Sequence, residues 1–418
     1  MNLSYITRDF WAGAEETNVP RALAEAFVQR GHHVTVFSPK PDLRHGVHFG
    51  SENGIHTYGI PLERRFPALY LLDKALKPHA EERKFASDLW SLSRFLRSHQ
   101  DVDVHLVDDP YPYGILMSLA ARRYPSKWML SLHSHWGLDT VEYPYKRQRS
   151  RFVLGCIRKA FRSATIIRAN SFLAADRILK QSTKVAGIVV VPVNLGYTPS
   201  FSENEILQRK QRLQSELRKR FFFSEDRLIV SACRLDPVKG LDVFIRAAAR
   251  VRQEYGEDVR FIIAGKSRHI SGLGEYGDYL QRLTTDLGMA DKITFTGHFP
   301  NQDMQTLLAG ANINVVASYI DMLNMVVPEA GCVLTPSVVT RNSGISHWVE
   351  KYRSGIVVPT NAPEDLARAV MEILSDPAKE RAMGRAALLL AENFTPDAVA
   401  QKIEQLLRQT LEVRRQHP

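Results

Sequence analysis

Short apolar runs rich in β-branched residues alternate with helical stretches along the whole chain. The first half contains six such runs, at residues 3–6, 33–37, 102–107, 128–132, 164–169 and 187–193. The second half contains six more, at residues 227–232, 259–265, 292–297, 313–318, 336–340 and 355–359. Strands that alternate with helices form right-handed βαβ units, which build parallel sheets with helices on both faces. The pattern therefore predicts an α/β fold with two doubly wound, Rossmann-like domains.

The two series of strands are separated by a stretch rich in turn residues. Residues 194–203 read NLGYTPSFSE, whose Gly, Pro and Ser residues favour a linker. We place the first domain at 1–195 and the second at 196–394, since 418 residues are too many for one ordinary core. Apolar residues at helical intervals in 395–418 predict a final helix that packs back on the first domain. Doubly wound domains bind ligands at the carboxyl ends of their strands, so we expect the two domains to face each other across a cleft that holds the active site.

Composition and cysteine content describe an ordinary globular protein. Hydrophobic residues make up 44% of the chain, no apolar run approaches the roughly 18 residues that span a bilayer, and the start MNLSYITRDF lacks the apolar core of a signal peptide. We therefore expect a cytoplasmic protein. Cys156, Cys233 and Cys332 have no CxxC spacing, so we predict neither disulfides nor a zinc cluster. Histidines and carboxylates also lack metal-ligand spacing, and we expect no protein-bound metal.

The net charge of +10 is unevenly distributed. Residues 146–162, KRQRSRFVLGCIRKAFR, combine Lys and Arg with apolar residues at helical spacing, which predicts a basic amphipathic helix. Such a helix can lie on an anionic membrane surface or attract an anionic substrate, while the commoner alternative is a core-packing helix with a solvated basic face. A positive net charge can also indicate a nucleic-acid-binding protein. The sequence offers no recognition helix or aromatic platform, so we expect no nucleic-acid partner.

Two familiar motifs occur at positions where their chemistry does not fit. Residues 272–277, GLGEYG, match the dinucleotide pattern GxGxxG, but several residues separate them from the end of the preceding strand near Gly265. The dinucleotide turn must join strand and helix directly, so we interpret these residues as a surface loop. The DVD at 101–103 resembles a metal-binding triplet, yet it stands at the start of a strand, which is the wrong edge of a parallel sheet for a ligand site.

Two stretches contain groups that suit a phosphate ligand. Arg234 and Lys239 flank a Pro-containing turn after the strand 227–232, where a bidentate Arg and a compact Lys charge can bind a diphosphate. Gly13 lies in the first strand-to-helix turn, where backbone N–H groups can approach an anionic ligand at the start of helix 19–31. Ordinary surface charges on a solvated loop would explain Arg234 and Lys239 equally well, and the stretch that contains Gly13 is weak evidence by itself.

His133 and His135 follow the carboxyl end of strand 128–132. A histidine at that edge of a parallel sheet can face a bound ligand. A hydrogen-bonded loop histidine is the commoner outcome when no partner motif is present. The position therefore makes His133 a candidate that needs further evidence.

Two carboxylates, Asp321 and Glu329, stand eight positions apart after the strand 313–318. Asp321 falls in the loop at the carboxyl end of that strand, and Glu329 is predicted to begin the next helix, so both can reach one ligand. Carboxylates accept hydrogen bonds from ribose and sugar hydroxyls, and the amides of Asn324 and Met325 can meet phosphate oxygens. The preference of helix N-termini for acids would explain Glu329 but not Asp321.

Four groups of residues occur in a fixed order along nearly the whole chain. They are AGAEE, RALAEAF and RGHHVTVF within 12–37, CRLDPVKG at 233–240, IIAG with LGMADKITFTG within 262–297, and SYIDMLNMVVPEA at 318–330. This set resembles the motifs of the retaining glycosyltransferases of family 4. The resemblance implies the two-domain GT-B fold, with an acceptor-binding first domain and a nucleotide-sugar-binding second domain.

The resemblance also implies a role for each candidate residue. Glu329 would bind the nucleotide ribose, Asp321 the hydroxyls of the donor sugar, and Arg234 with Lys239 the diphosphate. His133 would lie beside the transferred sugar. The remaining implied donor-binding positions, of which the backbone around 297 and 298 would meet the base, are Gly13, Gly265, Gly297, His298, Asn324 and Met325.

The implied reaction moves a hexose-type sugar from a UDP-, GDP- or ADP-sugar to a hydroxyl acceptor with retention of anomeric configuration. The resemblance implies neither a metal nor another cofactor. It also implies a front-face substitution in which the departing phosphate helps to deprotonate the acceptor. Polysaccharides, glycolipids or small-molecule glycosides are the expected products.

The chain departs from the family pattern at four positions of the second domain. Asp321 replaces a longer Glu, Asn324 stands where Gly is usual, and Leu334 and Arg341 stand where Gly and Asp are common. Asn tolerates a left-handed backbone better than most non-Gly residues, so the loop can still form. The alternative to an active transferase is a catalytically weakened, nucleotide-sugar-binding relative.

Overall fold

The computed structural model describes the chain apart from residues 12–17, 63–66, 81–83, 134–149, 183, 184, 186, 198–202, 222–226, 257, 417 and 418. The described residues form two compact units. The first contains the residues up to 197 together with those from Thr395 onwards, and the second contains residues from 203 to Phe394. Among the described residues, no helix has the length and apolar character needed to cross a bilayer.

The first unit is built on an eight-stranded sheet. Its strands are β1 (Asn2–Ile6), β2 (His33–Lys40), β3 (His48–Glu52), β4 (Ile55–Pro61), β5 (Val104–Asp108), β6 (Trp128–Leu132), β7 (Ile166–Ala169) and β8 (Ile188–Val190). Its first six helices are α1 (Val19–Gln29), α2 (Tyr70–Ala80), α3 (Phe85–Ser98), α4 (Ile115–Ala120), α5 (Arg151–Ser163) and α6 (Phe172–Gln181). The six predicted strands of this half are present, and β3 and β4 are additional.

The strands of the first unit follow the order β3-β4-β2-β1-β5-β6-β7-β8, and only the β3–β4 pair is antiparallel. β1 and β5 are neighbours although a helical stretch and three strands separate them in the sequence. The order of the strands reverses between them, so this position is the topological switch point. Ligands of doubly wound sheets bind outside the carboxyl ends of the strands at such a point.

The second unit begins with α7 (Glu203–Phe221) and contains a six-stranded parallel sheet and a short hairpin. Its strands are β9 (Arg227–Ala232), β10 (Val259–Ala264), β11 (His269–Ile270), β12 (Gly274–Glu275), β13 (Ile293–Gly297), β14 (Ile313–Val316), β15 (Ser337–Thr340) and β16 (Gly355–Val358). Its further helices are α8 (Leu241–Tyr255), α9 (Tyr276–Asp286), α10 (Asn301–Gly310), α11 (Val326–Gly331), α12 (Ser346–Tyr352), α13 (Pro363–Leu374) and α14 (Pro377–Glu392).

The large sheet of the second unit has the order β13-β10-β9-β14-β15-β16. Its central strands are buried along almost their whole length, which suits a parallel sheet covered on both faces. β9 and β14 are parallel neighbours, and the strand order reverses between them. The segments after β9 and β14 therefore leave the sheet at the switch point of this unit.

The last helix, α15 (Pro396–Gln416), belongs to the first unit. Ile403 and Leu407 are fully buried in the apolar core that α1 and the first sheet share. The guanidinium of Arg30 donates to the carboxylate of Glu404 at 2.8 Å. Apolar burial and ion pairing together fasten this helix to α1.

Two sequence predictions about local structure are corrected. The GLGEYG segment at 272–277 is not a plain surface loop, because it contains β12 and the first turn of α9. Its first two glycines have φ of +83° and +85°, the left-handed backbone that closes the β11–β12 hairpin. The helix predicted to begin at Glu329 begins earlier, at Val326, because the chain turns at Asn324, which has φ of +77°.

Helix α5 is the described part of the basic segment predicted at 146–162, whose first residues lie outside the described chain. Its apolar stripe is buried in the first unit, as shown by Val153 and Ile157 with exposures of 1% and 0%. Arg151 and Arg162 are exposed on the opposite face. The stripe therefore packs into the core, which is the commoner of the two alternatives for such a helix.

Candidate active site

The turn after β9 carries two cations at the switch point of the second unit. A short 3-10 turn (Pro237–Lys239) follows β9, and the carboxylate of Asp236 caps it by accepting a backbone N–H at 3.2 Å. Asp236 is buried and also accepts a hydrogen bond from the guanidinium of Arg268. These contacts fix the turn that presents Lys239, whereas Arg234 is exposed beside it.

Two glycines let the loops at this edge of the sheet approach one another. Gly240 has φ of +62°, and a Cβ there would lie 2.1 Å from the carbonyl oxygen of Ala317, just after β14. Gly265 follows β10 with φ of +153°, and a Cβ there would lie 1.8 Å from the carbonyl oxygen of Cys233. Neither position has room for a side chain. Both glycines are therefore required by packing, whether or not Gly265 also contacts a ligand.

Lys239 and Asp321 form an ion pair across the switch point, with 2.5 Å between Nζ and Oδ2. Their side chains are only 17% and 15% exposed. Burial favours the neutral form of each group, but the partner's charge outweighs it, so the pKa of Lys239 is raised and the pKa of Asp321 is lowered. The charge of Arg234 acts in the opposite direction on the pKa of Lys239, and its effect is smaller than that of Asp321.

The loop that carries Asp321 is held to the segment after β15. The Asp321 N–H donates to the carbonyl of Asn342 at 3.1 Å, and the Gly344 N–H donates to the carbonyl of Asp321 at 2.8 Å. The Asn324 amide donates to Oδ2 of Asp321 at 3.1 Å. Asn324 adopts the left-handed backbone expected for a position where Gly is usual. The loop therefore keeps its turn despite the substitution.

Glu329 lies in the first turns of α11, and its N–H donates to the carbonyl of Met325 at 3.2 Å. The carboxylate is half-buried, and no described residue donates a hydrogen bond to it. Burial raises the pKa of Glu329 to about 7. A carboxyl group in this state is stabilised as the anion by any ligand that donates hydroxyl hydrogen bonds. Its environment fits a diol-binding group better than a structural one.

Gly297 and His298 lie at the end of β13, the edge strand next to β10. The carbonyl of Gly297 accepts the N–H of Gly265 at 2.9 Å, so these two candidate backbone positions are joined. Gly297 has φ of +66° and open space around its Cα, and His298 is exposed. The exposed backbone here is accessible to a ligand.

In the first unit, His133 lies one residue past β6 beside the end of β5. Its Nε2 is 2.8 Å from Oδ1 of Asp108, and its N–H donates to Oδ1 of Asp109 at 2.8 Å. Its carbonyl accepts the side-chain amide of Asn170 at 3.1 Å. The histidine is thus held by three partners. Two other positions raised by the sequence, Gly13 and His135, lie outside the described residues.

The partners of His133 were not predicted from the sequence. Asp108 is the last residue of β5, VHLVD, and Asp109 follows it. Both lie at the switch point between β1 and β5. Carboxylates at that location were a readable signal. Arg168 lies on β7, the other neighbour of β6, and Asn170 directly follows that strand, but their sequence gives no local signal. The described residues contain no group of three His, Cys, Asp or Glu side chains arranged to hold a metal ion.

Two family models match this chain, one in each unit. Residues 17–194 match the model described as Glycosyl transferase 4-like domain, and residues 214–389 match Glycosyl transferases group 1. The chain is similar to alpha-D-kanosaminyltransferase of Streptomyces kanamyceticus, with 26% identity over 415 residues, 93% of this chain and 98% of that protein. The similarity thus extends through both units.

Solved structures share the fold over nearly the full length. Sucrose-phosphate synthase from Thermosynechococcus elongatus has a TM-score of 0.74 at 19% identity, covering 99% of this chain and 100% of that one. Anabaena HepE in complex with UDP has a TM-score of 0.69 at 16% identity, covering 98% and 100%. Together with the two doubly wound sheets, this likeness confirms the predicted GT-B fold class.

Proposed function

We propose that this chain, which belongs to the GT-B glycosyltransferases of family 4, moves a hexose-type sugar from a nucleotide-diphosphate sugar to a hydroxyl acceptor with retention of configuration. Use of a nucleotide sugar is a property of its family. The hexose, the retention and the independence of metal are our proposals. The observation that carries them is the ion-paired junction of Lys239 and Asp321 at the switch point of the second unit.

The two cations after β9 supply the charge that the leaving group needs. When the bond between the anomeric carbon and the diphosphate breaks, a negative charge develops on the departing phosphate. Arg234 is exposed and has no ion-pair partner among the described residues, and Lys239 is fixed by Asp321. Preorganised cations of this kind stabilise the transition state without a protein-bound metal.

The acceptor oxygen forms its new bond to the anomeric carbon on the face that the phosphate leaves. The proton of the acceptor hydroxyl passes to the departing phosphate, so the reaction balances without a further base. Asp321 and Glu329 are proposed to hold the donor-sugar hydroxyls and the ribose diol, respectively. The exposed backbone at Gly297 and His298 is proposed to meet the base, with Asn324 and Met325 near the phosphates.

The first test is thermal unfolding of the wild type and of Glu329→Ala with UDP, GDP, ADP and their sugar conjugates. A ligand at about 100 times its Kd adds roughly 2.7 kcal/mol of stability, which shifts the unfolding temperature measurably. We expect one base to shift the wild type and the shift to be lost in Glu329→Ala. The matched control is Glu254→Ala, which removes a surface carboxylate paired with Arg250 in the same unit.

Turnover is then measured by nucleotide release in the presence of EDTA, with the anomeric configuration of the product read by NMR. An inverted product would refute retention, and loss of turnover in EDTA would refute metal independence. If nucleotides bind but no acceptor supports turnover, the weakened, nucleotide-sugar-binding relative becomes the better description. If no nucleotide shifts the wild type, the donor site itself is refuted.

A peripheral contact with an anionic membrane through the segment 146–162 is a further proposal about partners. Since the apolar stripe of α5 is buried, the contact would rest on basic residues such as the exposed Arg151 and Arg162. Co-sedimentation with anionic vesicles at low salt should fall in Arg151→Glu/Arg162→Glu. Equal pelleting of that variant, or none by the wild type, would refute the membrane contact.

We also propose a cytoplasmic location, since the three cysteines form no disulfide.

A further inference from the structure

In the first unit, His133 is paired with Asp108, a carboxylate that has no part in the proposed donor site. His133 Nε2 lies 2.8 Å from Oδ1 of Asp108, and the two side chains are 20% and 13% exposed. The backbone of His133 is fixed as well, by Asp109 on the N–H side and Asn170 on the carbonyl side. Among the described residues, nothing bonds to the other ring nitrogen, Nδ1. Within the described part of the chain, the ring is therefore oriented through Nε2 alone.

The contact with Asp108 decides which ring nitrogen carries a proton. A carboxylate only accepts, so Nε2 must be the donor. Nδ1 is then an acceptor in the neutral ring and a donor in the imidazolium. Choosing between these two forms requires the charges that surround the ring.

The charged groups around the ring favour the imidazolium. Burial opposes the charge of His133, but Asp108 and, to a smaller extent, Asp109 outweigh it, so its pKa is raised above the usual 6.5. Arg168 on β7 lowers the pKa of His133, but its effect is weaker than that of Asp108 and Asp109. Its guanidinium donates to the backbone carbonyls of residues 191 and 192 and not to Asp108, which accepts from His133, Tyr5 and Thr7. Tyr5 on β1 stays neutral, because burial and Asp108 raise its pKa.

We propose that Asp108 is a positioning residue that holds His133 as an imidazolium, whose Nδ1–H donates to a sugar or phosphate oxygen of a ligand bound at the switch point of the first unit. This inference rests on the proposed function, because the sugar and phosphate oxygens are those of the proposed substrates. A cation held in place before the reaction stabilises negative charge on a departing phosphate without reorganisation. The first unit thus holds a fixed hydrogen-bond donor at the edge of its sheet where ligands of doubly wound folds bind.

The direct test is an NMR titration of the His133 ring in the ligand-free protein, assigned with His133→Gln. We expect the wild-type ring to titrate above pH 6.5. In Asp108→Asn, which keeps the shape but removes the charge, the midpoint should fall by about one pH unit or more. The matched control is Asp103→Asn, which removes an exposed carboxylate at the entry of the same strand, where it accepts the Asn2 N–H, and should leave the midpoint unchanged.

The functional test is the pH profile of kcat/KM. In the wild type, kcat/KM should decline on the alkaline side as His133 loses its proton. In Asp108→Asn the decline should start at lower pH, with more than tenfold loss at pH 7.5 and partial recovery near pH 5.5. Asp108→Glu should restore part of the activity, because it returns the carboxylate. A merely structural role would lower the rate without moving the profile.

The proposal is overturned if the wild-type ring titrates below pH 6.5, or if Asp108→Asn moves neither the midpoint nor the pH profile. Should Asp108→Asn fail to fold, the wild-type titration still decides whether the ring is an imidazolium at neutral pH. The titration needs no nucleotide, so its result is independent of the thermal shift that tests the donor site. A protein that binds no nucleotide but titrates as expected would refute the proposed function and not the pairing.

Discussion

Lys239 and Asp321 belong to turns that leave neighbouring strands, and a 2.5 Å contact between Nζ and Oδ2 joins them. The pair is largely shielded from water, with side-chain exposures of 17% and 15%. Each charge therefore depends on the other for its stability. The junction both fastens the two loops and places a cation and a carboxylate at the same point of the switch region.

Asp321→Asn should lower the free energy of unfolding by about 3 kcal/mol at pH 7, because it leaves a buried lysine without a counter-ion. The pKa of Asp321 is lowered in the folded protein. Its contribution to the free energy of unfolding is therefore fully present above the unfolded pKa near 3.8, and it is lost as the pH falls through the folded pKa. Chemical denaturation at pH 7 measures the loss in the variant, and chemical denaturation at pH 3 shows how much of the Asp321 contribution remains. The double variant Lys239→Met/Asp321→Asn should lose less than the sum of the single losses, and strict additivity would contradict the pairing.

Glu329→Gln should stabilise the protein at alkaline pH. The folded pKa of about 7 exceeds the ordinary value of 4.5, so between these values the folded protein binds more protons than the unfolded chain. Wild-type stability therefore falls as the pH rises through this window, whereas glutamine does not ionise. We expect the variant to unfold at least about 2 °C higher at pH 8 and at nearly the wild-type temperature at pH 4.5. A difference that is constant with pH would contradict the raised pKa.

Gly240→Ala should be much more destabilising than Gly288→Ala. Both glycines have similar left-handed φ values, +62° and +67°, but a Cβ meets the Ala317 carbonyl at 2.1 Å in the first case and no atom within 4 Å in the second. The backbone strain alone costs roughly 1–2 kcal/mol. We expect about that loss for Gly288→Ala and more than about 3 kcal/mol for Gly240→Ala by urea denaturation. Equal losses would show that the loops at the switch point can separate freely.

The predicted parallel strands are all present because buried strands in a doubly wound sheet need apolar runs that are legible in the sequence. β3 was missed for the opposite reason, and β4 was missed because its largely buried sequence, IHTYGIP, contains no continuous apolar run. β3, HFGSE, is an edge strand paired on one side, and all five of its residues are half-buried or exposed, so it has no apolar run. The same limit applies to the hairpin β11–β12, whose two-residue strands depend on glycine turns.

Asp321 and Glu329 could be predicted as site residues because they lie close together in the sequence after one strand. The Lys239–Asp321 contact could not, since it depends on β9 and β14 being neighbours, which is a property of sheet order. The same reason hides Asp108, which reaches His133 from the adjacent strand β5. Local sequence thus indicates which segments meet a ligand, and topology decides which side chains meet each other.

Asp321→Glu separates the active transferase from the weakened relative. The longer side chain moves the carboxylate about 1.5 Å outward, and Lys239 is held so closely that the ion pair must rearrange. If this chain is adapted to its aspartate, kcat/KM for the nucleotide sugar should fall more than tenfold, while the thermal shift by the nucleotide alone stays unchanged, since Glu329 is intact. A rise in kcat/KM would instead identify Asp321 as the cause of a weakened activity. The measurement is nucleotide release at saturating and limiting donor, which assigns the change to kcat or to KM.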